Sequence, residues 1–420
     1  MNMIHARLAS TGWLTSLSVA ALLAVAGCGG STGSAHSSRT SVAPTRTPQS
    51  SVSGGSRDSV ELRANGGVLA WGDNSSGELG DGTTTKRHTP VPVSGLGAGS
   101  GVVEVVAGAS HALALRVDGR VLAWGHNRSG ELGDGSTADH PTPELIGALR
   151  NIKSLAAGDG FSLALKADGT VLAWGNNKSG QLGDGNAPAD HATPAPVHDL
   201  GSGSGVVAIA AGGSHGLVLK RDGTVLAWGN GTSGQLGEGT NGKASAPTRV
   251  TGLGSGSGVR AIAAGGSFSL ALKADGTVLG WGNNKSGQLG DGSAPIDHNT
   301  PTPVSGVGAR SGVRAIAAGG SFSLALKADG TVLAWGNNKS GELGDGSAPN
   351  DRHTPVQVSG LGAGSTVIGV AAGGGHALAL KPDGALLAWG LNSSGQLGDG
   401  GAPVNHPTPV STQLPPDSVR

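Results

Sequence analysis

The stretch WGNNKSGQLGDG, Trp174 to Gly185, decides how this chain is read, because close copies of it recur along the sequence. Trp-Gly pairs begin at Trp71, Trp124, Trp174, Trp228, Trp281, Trp335 and Trp389, at intervals of 53, 50, 54, 53, 54 and 54 residues. Regular spacing of this kind marks a repeat architecture. The shortest interval has a local cause: ELIGALRNIKSLAAG from Glu144 lacks part of the Gly/Ser loop in PVHDLGSGSGVVAIAAG from Pro196. Residues 260–295 and 314–349 differ only at Gly280/Ala334 and Gln288/Glu342, as a recent internal duplication would leave them. A catalytic loop has no reason to occur in every unit, whereas a structural turn must. The motif is therefore scaffold.

Working outward from the motif, one unit resolves into short strands. VVAIAAG reads as a first strand, GSHGLVLK as a second, TVLAWG as a third and PTRV as a short fourth. Asp-Gly between alternating apolar runs predicts a tight hairpin, since Gly supplies the positive φ. It occurs from Asp118-Gly119 to Asp383-Gly384, with Asn65-Gly66 in the first unit. Four short strands per unit, repeated seven times, predict an all-β, seven-bladed propeller. Alternation places Leu226 and Trp228 on one face of the strand, and Val225 and Ala227 on the other. The seven Trp are then structural wedges between blades, each removing ~150–250 Å² from water. The Leu of each QLGDG or ELGDG, such as Leu182, is expected to plug its loop onto the blade, and the Asp to accept backbone hydrogen bonds.

Composition agrees. Of 420 residues 79 are Gly, without the triplet period of collagen, and only 3 are Phe and none Tyr. Lys+Arg and Asp+Glu are 28 each, so no net field favours nucleic acid. A multi-oxygen calcium loop is absent, and no Ser/His/Asp set, phosphate loop or CxxC stands above the repeat. The sequence thus predicts no catalytic residue, no metal and no cofactor.

SGVRAIAAGGSFSLALKADGTVLAWGNNKSGELGDG, Ser311 to Gly346, resembles the repeat of the regulator of chromosome condensation family. The likeness covers about residues 58–420, and it implies a seven-bladed propeller. The family's functions are diverse: a eukaryotic nucleotide exchange factor that binds chromatin, a plant light receptor, and a secreted bacterial β-lactamase inhibitor. The strand VxxIAAG, counting close variants such as VVEVVAG and IKSLAAG, occurs six times rather than seven, and the first unit starts late, with DSVELRANGGVLAWG from Asp58. The C-terminal TPVSTQLPPDSVR is therefore expected to pair with the first unit and close the ring within one blade.

The N-terminus has another logic. Arg7 precedes a mostly apolar stretch, Trp13 to Ala26, ending in VAGC at Cys28, the sole cysteine. These are the parts of a secretory signal, and VAGC resembles a bacterial lipobox. That implies a signal peptide over 1–27, a lipidated Cys28, and membrane attachment by the acyl chains. Residues 28–57, rich in Ser, Thr, Gly and Pro, are expected to form a flexible tether.

Candidate contacts come in two kinds. The first is the position opening the second strand: His111, Phe161, His215, Phe268, Phe322 and His376. It shares a face with the Leu of the same strand, so these side chains are expected to be packed; the family likeness puts the preceding turn near the central channel, and as ligand contacts His or Phe there would line its mouth. The second kind breaks the repeat, as a single asymmetric partner requires: Asp159 with Gly160, His126 with Arg128, Gly231 with Glu238, and Leu391. Six histidines before Thr-Pro or Pro-Thr-Pro (His88, His140, His191, His298, His353, His406) lie on separate blades, too far apart to share a metal, and read as loop residues bonding their own backbone. The resulting expectation is an exported, lipid-anchored propeller on the extracytoplasmic side of the cell membrane or outer envelope. It acts as a monomeric protein-protein or ligand-binding module for an extracytoplasmic protein or envelope component, with no nucleic acid. The alternatives are an extracellular glycan lyase or hydrolase, or an inhibitor of a secreted hydrolase.

Overall fold

The computed structural model describes residues 47–416. They form twenty-eight strands in seven four-stranded antiparallel sheets, each built from four consecutive strands. In the third blade, Leu165 pairs with Val171 across the Asp168-Gly169 hairpin, where Gly169 has φ 93°. At the other end of that pair Phe161 meets Gly175, which in turn meets His191 of the fourth strand. Every blade therefore presents its Asp-Gly turn, Asn65-Gly66 in the first, on one side of the disc, here the turn face. The loop after Trp-Gly and the hairpin joining the first two strands lie on the other, the loop face.

The seven Trp are completely buried, as is the plug Leu of every loop to within 1%. Each indole sits in the hydrophobic cluster of the preceding blade: Trp228 with Phe161 and Leu163, Trp335 with Phe268 and Leu270. Each Nε1–H also donates to a carbonyl of the preceding loop, as Trp174 does to Glu131 at 2.8 Å and Trp228 to Gln181 at 2.9 Å. The indole is thus wedge and latch together, since a buried N–H without a partner would cost 1–3 kcal/mol. A second set of latches circles the axis. Backbone amides of neighbouring inner hairpins are linked from Ser56 to Ala109, Ala109 to Gly158, Asp159 to Gly213, and onward until Gly374 donates to Gly55.

The ring closes differently from the sequence-based expectation. No blade mixes strands from the two ends of the chain. The first inner strand is Ser51–Gly54, inside the segment expected to be tether, and Ser51 pairs with Leu62. Its sequence, SVSG, lacks the Ile and Ala of the other inner strands, which is why the first unit looked incomplete. The C-terminal stretch does lie beside the first unit, with Arg63 donating to the Pro415 carbonyl at 2.6 Å. Closure rests on packing and the same latches as elsewhere: Trp71 donates to the Gln396 carbonyl at 2.9 Å. The fourth strands also begin earlier than expected, at Ala244 rather than Pro247 in the fourth blade. The signal, Cys28 and most of the expected tether lie outside the described residues.

Candidate functional site

Seven inner strands surround a central channel of about 340 Å³. Its wall is Gly, Ala, Val, Ile and Leu with two Ser and one Asp, because the inner hairpins crowd one another. A Cβ on Gly213 would stand 2.4 Å from the Gly266 carbonyl oxygen, so a larger residue there would break the circle of amides. At the equivalent rim positions stand Ser56, Ala109, Asp159, Gly213, Gly266, Gly320 and Gly374. Asp159 is exposed and is the only ionisable side chain in the channel wall.

The series opening the second strand is not at that wall. His111, Phe161, His215, Phe268, Phe322 and His376 are at most 1% exposed and lie between blades. The histidines bond the next blade: His111 Nε2 to Ser162 Oγ at 2.9 Å, His215 to Ser269 at 2.9 Å, His376 to Ser59 at 2.8 Å. Each of these hydroxyls gives its one proton to a loop carbonyl, as Ser162 does to Glu131 at 2.8 Å and Ser59 to Gln396 at 2.9 Å. The histidine Nε2 must therefore carry the ring proton and donate. Burial lowers the pKa of His111 to about 3 and of His215 and His376 to about 4, so all three are neutral. The same position in the first blade holds Asp58, 3% exposed. Burial, then the charges of Glu78 and Asp73, push its carboxyl well above the usual range.

The repeat-breaking residues separate into internal and surface groups. Most blades bury an Asn whose Oδ1 caps the plug Leu and whose Nδ2 reaches the loop Asp, as Asn284 does to Leu289 at 3.1 Å and Asp291 at 3.1 Å. That Asp also holds the residue opening the fourth strand: His298 at 2.8 Å, Arg87 on Asp81 at 2.8 Å. The fourth blade replaces all three together, with Gly231, Glu238 and Ala244. These changes are one alternative loop, and a Cβ on Gly231 would lie 2.0 Å from the Gly242 carbonyl. Leu391 is half-buried over Gly375. The histidines ahead of Pro therefore lie in strands rather than in loops: His140, His191, His298 and His406 open theirs and pair with a loop carboxylate, while His88 and His353 follow the opening Arg87 and Arg352. Asp159, His126 and Arg128 are different. His126 Nδ1 lies against Glu131 Oε1, Glu131 borders Gly160, and Arg128 is exposed at the loop tip. They share one sector, on the second and third blades.

Comparison with known proteins agrees with this architecture. The family described as the RCC1-like domain matches residues 22–379, and two regulator of chromosome condensation repeats match 367–396 and 383–419. The chain belongs to the RCC1-like domain family. This RCC1-like propeller is 35% identical over 333 residues to the ultraviolet-B receptor UVR8 of Arabidopsis thaliana, matching 79% of this chain and 62% of that protein. It is 35% identical over 359 residues to the human E3 ubiquitin-protein ligase HERC2, matching 84% of this chain and 6% of HERC2. Among solved structures it is similar to Prp20p from Saccharomyces cerevisiae, at TM-score 0.72 and 26% identity, over 82% of this chain and 85% of that one. That structure is described together with the binding properties of Prp20p to Gsp1p and histones. The chain thus spans less than two thirds of the curated relatives it matches.

In this RCC1-like propeller the charged sector continues into the first blade, through residues the sequence reading passed over. Arg57 is exposed where four other blades have Ser, and Lys86 pairs with Asp73 at 3.5 Å. Arg57 was missed because the first unit had no recognised inner strand to align on. Among the described residues no group of three or more His, Cys, Asp or Glu is placed to hold a metal. The arrangement supplies charged and hydrogen-bonding surface beside an apolar channel mouth, suited to recognition.

Proposed function

We propose that the protein is an exported, lipid-anchored RCC1-like propeller that binds a protein partner through the loop face of its first three blades. The observation that carries this is the clustering there of charged residues that depart from the repeat, Arg57, Asp73, His126 and Asp159, beside Arg128, which stands where three other blades have Lys. In the duplicated fifth and sixth blades the corresponding rim positions are Gly and Ser, and the residue after Trp-Gly is Asn. Scaffold needs are met identically in every blade, whereas a single asymmetric partner must be read by departures. Alternating charge suits orientation and partner choice. The VAGC motif supports export and attachment at Cys28. An exported chain with no net charge is not a nucleotide exchange factor or a chromatin protein.

A photo-crosslinking residue placed at Arg128 should yield a defined adduct in the native envelope, while the same residue at Lys339, its sixth-blade equivalent, should not. Equal adducts from both positions would remove the sector assignment. Intact mass of the mature protein tests the anchor: acyl chains on Cys28, absent from Cys28→Ala, are expected.

A further inference from the structure

The two faces of the disc carry charge differently. On the turn face six blades end the second strand in Lys or Arg and follow it with the turn Asp, from Arg116 and Asp118 to Lys381 and Asp383. These cancel one for one. The rest of that face is mainly cationic: Arg150, Arg221, Arg249 and Arg310 are exposed, with no carboxylate partner among the described residues, against one exposed carboxylate near a fourth-strand end, Glu144. Outside the turns, the connections between blades carry a single described carboxylate, Asp199, and His198 stands 3.2 Å from it. On the loop face the imbalance is reversed. Each long loop brings its Asp or Glu, and several bring another, such as Asp190 and Asp297. A neutral chain is thus folded into a disc with one basic side.

The basic side is also where the chain enters. Ser51 pairs with Leu62 at the turn-face end of the first blade, and Pro48 lies 3.6 Å from where a Cβ on Gly66 of the Asn65-Gly66 turn would stand. Between Cys28 and Ser51 are some twenty residues rich in Ser, Thr and Gly. An anchor at Cys28 would therefore be joined to the disc on its turn face, not its loop face.

From these two observations we infer that the turn face docks on an anionic phospholipid surface. The inference rests on the anchored reading above for its geometry, but the charge asymmetry stands without it. Lys and Arg near a leaflet of anionic headgroups are attracted within a Debye length. Docking this way leaves the loop face, with its charged sector and channel mouth, pointing outward to a partner.

The test uses the mature chain, residues 28–420 with Cys28→Ala, so that neither an acyl group nor the apolar stretch before Cys28 contributes. Flotation with vesicles of one part phosphatidylglycerol to two of phosphatidylcholine should recover it at low salt, with binding falling as salt rises. Vesicles of phosphatidylcholine alone should not recover it. Combining Arg150→Glu, Arg221→Glu and Arg310→Glu should weaken recovery at least tenfold, with far-UV circular dichroism unchanged. Combining Lys178→Glu, Lys285→Glu and Lys339→Glu, the same change of net charge on the loop face, should leave recovery within twofold. Equal losses from both triples, or no recovery on phosphatidylglycerol, overturn the docking face. A chain that docks but carries no acyl group on Cys28 in the native envelope keeps the docking face and removes the anchor.

Discussion

The seam between the fifth and sixth blades and the seam between the seventh and first invite comparison. The former joins near-identical sequences through a continuous chain; the latter joins the two ends of the molecule. Yet both use the same connections. Trp335 donates to the Gln288 carbonyl and Trp71 to the Gln396 carbonyl, each at 2.9 Å. Gly266 donates to Gly319 at 3.2 Å and Gly374 to Gly55 at 2.9 Å in the circle of amides. The closing seam adds the buried His376–Ser59 bond, where the internal seam has Phe268 beside Ser323. A propeller of this kind closes without exchanging a strand, because indole latches and crowded glycines do at the ends what they do elsewhere.

The largest way to break that equivalence is to delete Ser51–Gly54. This removes the inner strand of the first blade and its place in the amide circle, and a loss above ~4 kcal/mol is expected by denaturant unfolding. Removing residues after Gln413 spares every strand and should shift the melting temperature by only a few degrees. Next in size, Trp71→Ala and Trp335→Ala should each cost ~3–5 kcal/mol. A much smaller loss at Trp71 would show that the closing seam is held by something else.

Titration sharpens the comparison. His376 is neutral when folded, with its pKa lowered from 6.5 to about 4. The unfolded chain therefore binds more protons in that window, and stability present above pH 6.5 is lost as pH falls toward 4. The loss attributable to this residue is roughly 3 kcal/mol. His376→Phe, matching the phenyl groups at three other seams, should flatten that part of the pH-stability curve. If it does not, the seam is not where acid acts. The smallest effect is expected at the first seam. Asp58 has its carboxyl pKa raised by burial and by Glu78 and Asp73, so its contribution weakens stability as pH rises. Asp58→Asn should raise the melting temperature at neutral pH and make no difference below pH ~3.9, where the unfolded carboxyl is also protonated.

Much of the fold was legible because repetition amplifies weak local signals. Asp-Gly hairpins, alternating strands and the Trp spacing each occur often enough that the period carries the inference. The first inner strand was not legible, since SVSG has neither the apolar pattern nor the Ile-Ala-Ala of its counterparts. The position opening the second strand was recognised as a series and expected to be packed, as it is; its suggested place at the channel mouth does not hold. One sequence cannot distinguish a ring facing a channel from one wedged against the next blade's serine. Among the repeat-breaking residues, Gly231 and Glu238 prove to be parts of one rearranged loop, while Asp159 and Arg128 reach the surface.

What the sequence by itself determined is the number of units, their strands and turns, and the burial of the indoles, because these follow from dihedral preference and periodicity within some fifty residues. What only the tertiary structure decided is everything that crosses a seam: the His376–Ser59 bond spans a separation of 317 residues. The circle of amides, the closure without strand exchange and the segregation of charge between the two faces belong to the same class. Those depend on which neighbours the closed ring brings together, and no local pattern encodes a neighbour that distant.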